Sequence, residues 1–158
     1  MIAIGEIAPD FTLPRSDADP EVAPLSLSAL RGGWVVLYFY PKADTPGCTT
    51  EALDFTRLAP DFAAAKATVL GISKDAPAKQ GKFCAKHALG VAMLSDEASD
   101  TCEAYGVWGE KSMYGKTFLG ITRATYLIDP EGRVAEIWPK VKVAGHAEEV
   151  LAAIRARG

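Results

Sequence analysis

The apolar run from Val35 to Tyr40 constrains the fold more than any other segment of this chain. Six consecutive apolar residues leave a strand without a polar face, which suits the middle of a sheet that is covered on both sides. Residues 68–73 read as a second buried strand, and a helical segment separates the two. This pattern predicts an α/β fold built on a buried sheet.

A short turn rich in proline and glycine follows the first of these strands and leads into a helix. Thr45 precedes Pro46, and a residue before proline favours the extended geometry of a helix N-cap, while proline fits the first helical position. Cys48 then falls at about the third position. Backbone N–H groups at a helix start lack intrahelical partners, and the helix dipole favours negative charge there. The sequence therefore predicts a reactive thiolate at Cys48.

The rest of the chain continues the alternation of strands and helices. A short strand is predicted at 11–13, and residues 24–30 are predicted to form a second short strand that runs into a turn, with a polar loop at 15–20 between them. A helix at 45–65 is predicted to break near Ala59 because of Pro60. There follow a helix at 76–88, a strand at 92–94, a helix at 98–105, a hairpin of strands 125–128 and 133–138, and a helix at 147–157. This order predicts one domain over residues 1–158, with a central mixed sheet flanked by helices in the thioredoxin-like arrangement.

Charge and composition argue against several classes of function. The net charge is −3, from 17 Lys and Arg against 20 Asp and Glu, so no basic surface for nucleic acid or an anionic membrane is expected. No apolar run approaches the roughly 20 residues of a membrane span. The first residues show neither a basic start nor an apolar signal core, so a cytoplasmic location is expected.

The cysteines, Cys48, Cys84 and Cys102, are too few and too widely spaced for a disulfide scaffold. With no Cys-x-x-Cys pair and only His87 and His146, no zinc site is expected, and no metal or cofactor is predicted. Redox chemistry and a buried structural thiol both remain open at this point. Cys102 lies on one helical face with apolar neighbours and is interpreted as a core thiol. The two histidines are interpreted as surface residues at helix ends.

A longer motif joins these residues. Pro41, Thr45 and Cys48 have the spacing Pro-x-x-x-Thr-x-x-Cys, and Arg123 lies in a Thr-Arg-Ala-Thr segment. Further characteristic blocks lie at 38–42, 71–73, 94–97, 106–111 and 127–129. Together these motifs resemble the peroxiredoxins, specifically the Q-type branch, also called bacterioferritin comigratory protein. The resemblance covers almost the whole chain.

The resemblance implies reduction of a hydroperoxide, in which the Cys48 thiolate attacks the outer oxygen and becomes a sulfenic acid. An ordinary cysteine is roughly 3% thiolate at pH 7, so complete ionisation raises the reactive fraction only about 30-fold. The remaining rate must come from groups that stabilise developing charge. By resemblance, Arg123 would hold the sulfur and polarise the O–O bond, Thr45 would orient the peroxide, and Pro41 would shield the pocket. Glu51 would position Arg123.

The resemblance also suggests which thiol completes the cycle. Many Q-type members use a cysteine five residues after the reactive one, but this chain has Leu53 there. Another subgroup places the resolving thiol on the helix after the next strand, where this chain has Cys84. An intramolecular Cys48–Cys84 disulfide is therefore the hypothesis, with local unfolding of both helices and reduction by thioredoxin or glutaredoxin. The branch also implies a monomer.

Other interpretations are kept beside this one. A disulfide oxidoreductase of the same fold is disfavoured because Glu51 stands where a Cys-x-x-Cys partner would be. A peroxide-responsive redox sensor or relay shares the first chemical step, so the sequence does not separate it from an enzyme. Resolution by an external thiol remains an alternative to Cys84. Tyr40, Trp108 and Phe118 are candidates for the pocket mouth or, equally, for the core.

Overall fold

The structure is a computed structural model that describes residues 2–16 and 24–157. Its strands are β1 (Thr12–Leu13), β2 (Leu25–Ser26), β3 (Trp34–Phe39), β4 (Ala67–Ser73), β5 (Ala92–Ser95), β6 (Trp108–Met113), β7 (Lys116–Ile121), β8 (Ala124–Ile128) and β9 (Val134–Trp138). Its α-helices are α1 (Pro46–Arg57), α2 (Ala59–Ala64), α3 (Pro77–His87), α4 (Thr101–Ala104) and α5 (His146–Arg157). Most of the polar loop predicted at 15–20 lies outside the described residues.

The central sheet has five strands in the order β5-β4-β3-β8-β9. β3 runs parallel to β4 and antiparallel to β8, and β4 runs parallel to β5. β8 and β9 form the antiparallel hairpin expected around residues 129–132. The predicted mixed sheet is therefore confirmed, with the apolar strand β3 at its centre.

The sheet is buried on both faces, which explains the apolar character of β3. Val35, Leu37 and Phe39 face one apolar cluster, formed with the N-terminal segment, α4 and the strands of the second half. Val36 and Tyr38 face the other cluster, to which α1, α2, α3 and α5 contribute. Alternate side chains of a strand point to opposite faces, so a strand between two cores must be apolar at every position.

Close packing in the centre of the sheet requires a glycine in β4. A Cβ on Gly71 would lie 2.6 Å from Met93 Sδ and 2.8 Å from the Tyr38 ring, which is closer than real Cβ contacts. Gly71 pairs with Tyr38 in the β3–β4 register. The absence of a side chain thus makes room for the tyrosine ring, which stacks on Phe55 of α1 at a centroid distance of 4.7 Å. This contact fixes α1 against the sheet.

Several elements are shorter than predicted, and one was not predicted. The helix expected at 45–65 breaks at Leu58, consistent with the expected effect of Pro60. The segment 24–30, expected as a short strand that runs into a turn, forms β2 and then a 3₁₀ turn. The helix expected at 98–105 is confined to α4, where Asp96 accepts hydrogen bonds from the N–H groups of Thr101 and Cys102. The β6–β7 hairpin was not predicted.

Within the described residues, no helix is long and apolar enough to cross a membrane.

Candidate active site

The start of α1 lies next to the end of the central strand and carries Cys48. Thr45 has the extended conformation of an N-cap (φ −97°, ψ 156°), Pro46 begins the helix, and Cys48 occupies its third position, as predicted. The Thr45 side chain does not cap the helix, because its hydroxyl donates to the Lys42 carbonyl oxygen at 2.8 Å. Cys48 is only 2% exposed. Its thiol is therefore shielded from bulk solvent.

Arg123 lies beside this thiol, although the two residues are 75 positions apart in the chain. Its Nη2 donates to Cys48 Sγ at 3.2 Å, and its Nη1 donates to Glu51 Oε1 at 2.7 Å. Gly47 permits this approach, because a Cβ there would lie 3.2 Å from Arg123 Nη2. Burial alone would lower the pKa of Arg123, but the neighbouring Glu51 carboxylate and Cys48 sulfur raise it by more. The net pKa is therefore above the ordinary value, and the guanidinium stays charged.

Glu51 is a buried carboxyl group one turn after Cys48. Its side chain is 1% exposed, Oε1 accepts from Arg123, and Oε2 has no hydrogen-bond partner among the described residues. Burial raises the pKa of Glu51 to about 7, against the attraction of Arg123 that lowers it. A proton on Oε2 would leave Oε1 able to accept from the guanidinium. Glu51 can therefore hold Arg123 in either protonation state.

We expect Glu51→Gln to make the slope of the free energy of unfolding against pH less negative between about pH 4.5 and 7. The folded protein titrates Glu51 near pH 7, whereas the ordinary value is 4.5, so in this interval the native state holds a proton that the unfolded chain has released. The contribution of Glu51 to stability therefore falls as pH rises across the interval, and glutamine removes this contribution. Urea unfolding at a series of pH values measures the slope. A variant with the wild-type slope would contradict the assignment.

The remaining residues of the predicted motif lie in the turn that joins β3 to α1. Pro41 and Thr45 are half-buried there. Ala43 is buried between them, and its N–H donates to Asp75 Oδ2 at 2.7 Å. The structure thus brings Pro41, Thr45, Cys48, Glu51 and Arg123 to one end of the sheet.

Cys84 lies on the same face of the sheet as Cys48. It is half-buried on α3 and packs against the apolar cluster that contains Cys48, and neither residue is in a disulfide. Both thiols also contribute to raising the pKa of Tyr38, although burial of that phenol is the larger cause. Cys84 thus lies at the edge of the buried face of α3, next to the buried Phe83.

Cys102 lies on the opposite face of the sheet. It is fully buried in the other apolar cluster, and burial together with the nearby Asp96 carboxylate raises the pKa of its thiol. The interpretation of Cys102 as a core thiol is confirmed. Its location separates it from Cys48 by the thickness of the sheet.

One of the two histidines was predicted wrongly. His87 lies at the end of α3 and is partly exposed, as expected. His146 is 3% exposed, and its Nε2 lies 2.8 Å from the Thr125 hydroxyl while the rings of Phe55 and Trp138 pack edge-on around it. Burial lowers the pKa of His146. An imidazole can enter a core when aromatic rings surround it and one hydroxyl bonds its nitrogen, and no pattern in the sequence marked these partners.

The three aromatic residues proposed for the pocket mouth have different environments. Tyr40 is fully buried and packs against Tyr38 and Phe83. Trp108 is half-buried under the Lys74 ammonium group, which lies 5.2 Å from the centre of its ring. Phe118 is 43% exposed on the β6–β7 hairpin. Tyr40 therefore has a core position, and the exposed ring of Phe118 lies on the hairpin that leads to Arg123.

Among the described residues, no cluster of His, Cys, Asp and Glu could hold a metal ion.

Comparison with known proteins agrees with this geometry. The AhpC/TSA family model matches residues 4–137. Peroxiredoxin Bcp of Xanthomonas campestris is 52% identical over 131 residues, covering 83% of this chain and 82% of the relative. Peroxiredoxin Bcp of Bacillus subtilis is 44% identical over 154 residues, covering 98% of this chain and 96% of the relative.

Solved structures show the same relationship. The X. campestris bacterioferritin comigratory protein, studied for its alkyl peroxide reduction activity, superposes with a TM-score of 0.85 at 46% identity, over 93% of this chain and 91% of the other. A variant of PrxQ from Xylella fastidiosa superposes with a TM-score of 0.91 at 40% identity, over 99% and 98%.

The chain therefore belongs to the AhpC/TSA family, and within it to the Bcp, or Q-type, peroxiredoxins. Peroxiredoxins are thiol-dependent peroxidases, a class of oxidoreductase.

Proposed function

We propose that Cys48 is the peroxidatic residue and that it reduces hydrogen peroxide and organic hydroperoxides. Its thiolate attacks the outer oxygen of the peroxide, an S–O bond forms as the O–O bond breaks, and the inner oxygen leaves as an alkoxide or hydroxide that takes a proton. Cys48 becomes a sulfenic acid. The observation that carries this proposal is the 3.2 Å contact between Arg123 Nη2 and Cys48 Sγ at the start of a helix.

The neighbouring groups suit the charge changes of this step. Arg123 carries a fixed positive charge and several donors, so it can hold the thiolate before the reaction and the developing oxyanion during it. The Thr45 hydroxyl donates its own proton to the Lys42 carbonyl oxygen. Its oxygen lone pairs are then available to accept a hydrogen bond from the peroxide O–H and orient it. The half-buried Pro41 contributes an apolar wall without an N–H group.

We further propose that Cys84 resolves the sulfenic acid. Its thiolate attacks the Cys48 sulfur, a disulfide forms, and the sulfenic oxygen leaves as water after protonation. A thioredoxin, or a glutaredoxin, then reduces the disulfide by dithiol exchange. A disulfide requires Cα atoms within about 7 Å, and thiols on two separate helices rarely start that close. Partial unwinding at the start of α1 and in α3 therefore belongs to the proposal.

Cys84→Ser is expected to stop cycling supported by thioredoxin, while Cys102→Ser should retain near-wild-type activity because Cys102 lies on the other face of the sheet. Coupled NADPH oxidation with thioredoxin and its reductase measures turnover, and peptide mapping after one equivalent of peroxide identifies the disulfide. If oxidised wild-type protein contains no Cys48–Cys84 linked peptide, the resolving role of Cys84 is refuted. Stoichiometric oxidation without NADPH consumption would favour the redox sensor instead.

The expectations of a cytoplasmic location and a monomeric state, drawn from the sequence and the resemblance, stay predictions. Sedimentation of the reduced and oxidised protein tests the second of them.

A further inference from the structure

The turn that precedes α1 is tied to the helix that carries Cys84. Asp44, in this turn, accepts a hydrogen bond from Lys86 Nζ at 2.9 Å through Oδ2. Its Oδ1 lies 3.1 Å from His87 Nε2, and since a carboxylate only accepts, this nitrogen carries the proton. The two hydrogen bonds lower the pKa of Asp44, the bond from His87 being the larger cause. Both oxygens of the Asp44 carboxylate therefore bind side chains from the last turn of α3.

A second carboxylate connects the other end of α3 to the same turn. Asp75 lies just before α3, and its Oδ2 accepts from the Ala43 N–H at 2.7 Å and from the Ser73 hydroxyl at 2.8 Å. Its Oδ1 pairs with Lys79 Nζ, in the first turn of α3, at 3.3 Å. The adjacent residues Ala43 and Asp44 are therefore held to the two ends of one helix.

The backbone is strained on both sides of the Asp44 contact. Asp44 has φ +61°, and Ala88, the residue that ends α3, has φ +49°. Residues other than glycine adopt these left-handed conformations at a cost, and they persist where surrounding contacts hold them. Alanine has no side-chain group that could stabilise this conformation locally. At the end of α3 the helix's own backbone holds Ala88 in this conformation, because the Leu89 N–H donates to the Cys84 carbonyl oxygen at 3.0 Å.

These observations bear on how Cys84 reaches Cys48. Asp44 lies four residues before Cys48, and Lys86 and His87 follow Cys84 by two and three residues. A rearrangement that brings the two sulfurs to bonding distance moves the start of α1 relative to α3. The Asp44 contacts join these two segments directly, so they oppose that movement.

We propose that Asp44 is a latch between the peroxidatic turn and the resolving helix, and that its contacts with Lys86 and His87 set the rate of disulfide formation. This inference rests on the proposed Cys48–Cys84 disulfide. With the latch closed, the start of α1 keeps the arrangement that reacts with peroxide. With the latch open, resolution is faster, and less sulfenic acid survives to react with a second peroxide and become sulfinic acid. Asp44 is a positioning residue, because it acts through the two helices.

Two substitutions open the latch, and one serves as their control. Asp44→Asn removes the charge but keeps a side chain that tolerates positive φ, and Lys86→Met removes the cationic partner. Lys82→Met makes the same change one turn earlier on α3, where Lys82 is exposed and has no ion pair within the described part of the chain. Stopped-flow fluorescence separates the fast phase of peroxide reaction from the slower phase of disulfide formation. Mass spectrometry gives the fraction of Cys48 converted to sulfinic acid at each peroxide concentration.

The slow phase is expected to be about 1.5–5-fold faster in Asp44→Asn and Lys86→Met, in keeping with the strength of exposed ion pairs. A correspondingly higher peroxide concentration should be needed for sulfinic acid formation. Lys82→Met should match the wild type in both respects. Added salt screens exposed charges, so it should accelerate the slow phase more in the wild type than in Asp44→Asn, which keeps only the Asp75 contacts.

Equal slow phases in Asp44→Asn, Lys86→Met and Lys82→Met would overturn the latch while leaving the proposed disulfide intact. Absence of the linked peptide in the wild type would instead remove the proposed resolving step, and the latch with it. Peptide mapping in parallel with the kinetics therefore tells the two failures apart.

Discussion

Cys48→Ser is expected to abolish peroxide-dependent NADPH oxidation in the coupled thioredoxin assay. A serine hydroxyl is far less nucleophilic than a thiolate at neutral pH, and the neighbouring Arg123 cannot compensate for the lost sulfur chemistry. The substitution changes one atom at a buried helix position. The fold should therefore persist, with far-UV circular dichroism close to that of the wild type.

The thermal unfolding midpoint serves as the control for this variant. If Cys48→Ser unfolds cooperatively within a few degrees of the wild type, loss of turnover reports chemistry. Retained turnover in a folded Cys48→Ser protein would refute the assignment of the peroxidatic residue.

Substitution of Arg123 should have the second largest effect. We expect Arg123→Met to lower the second-order rate constant of the fast peroxide phase by about 10²–10³-fold, the usual loss when one stabilising donor is removed from a developing oxyanion. Arg123→Lys should recover only part of this loss. A single ammonium group cannot reproduce two donors that reach the Cys48 sulfur at 3.2 Å and the Glu51 carboxylate at 2.7 Å.

Arg57→Met is the matched control, because it removes the same charge from the exposed end of α1, where Arg57 pairs with Glu148. Stopped-flow measurement of the fast phase compares the variants directly. A similar loss in Arg57→Met would mean that net charge, rather than the placement of the Arg123 guanidinium, accounts for the effect. An unchanged rate in Arg123→Met would contradict the role given to this residue.

Much of the fold and the start of the site were predictable because the signals are local. The apolar run of β3 directly reflects burial on two faces. The Thr45–Pro46 pair marks the start of α1 through backbone restrictions that act within two residues. Pro60 likewise predicted the break between α1 and α2, because proline disrupts a helix locally.

Long-range contacts were less predictable. The resemblance suggested Arg123 and Glu51, but nothing in their local sequence gives the two contacts that Arg123 makes. His146 was assigned to the surface as a residue at a helix end, but its burial depends on Thr125, Phe55 and Trp138, which come from three other elements. The latch contacts of Asp44 were missed for the same reason, since their partners lie more than 40 positions away.

The β6–β7 hairpin shows a different limit. Its turn contains Tyr114 and Gly115, both with positive φ, and tyrosine is not among the residues that usually mark such turns. Most residues of the two strands are exposed or half-buried, so the hairpin also lacks the apolar pattern of a buried strand. Neither turn chemistry nor burial therefore distinguished it from a loop.

The central claim is that peroxide oxidises the sulfur held by Arg123 and no other thiol in the chain. Trapping with dimedone in the Cys84→Ser variant tests it most directly, because without Cys84 the sulfenic acid should persist long enough to react. After one equivalent of peroxide, peptide mass spectrometry should locate the dimedone adduct at Cys48 and leave Cys102 unmodified. An adduct at Cys102 with Cys48 still reduced would contradict the account.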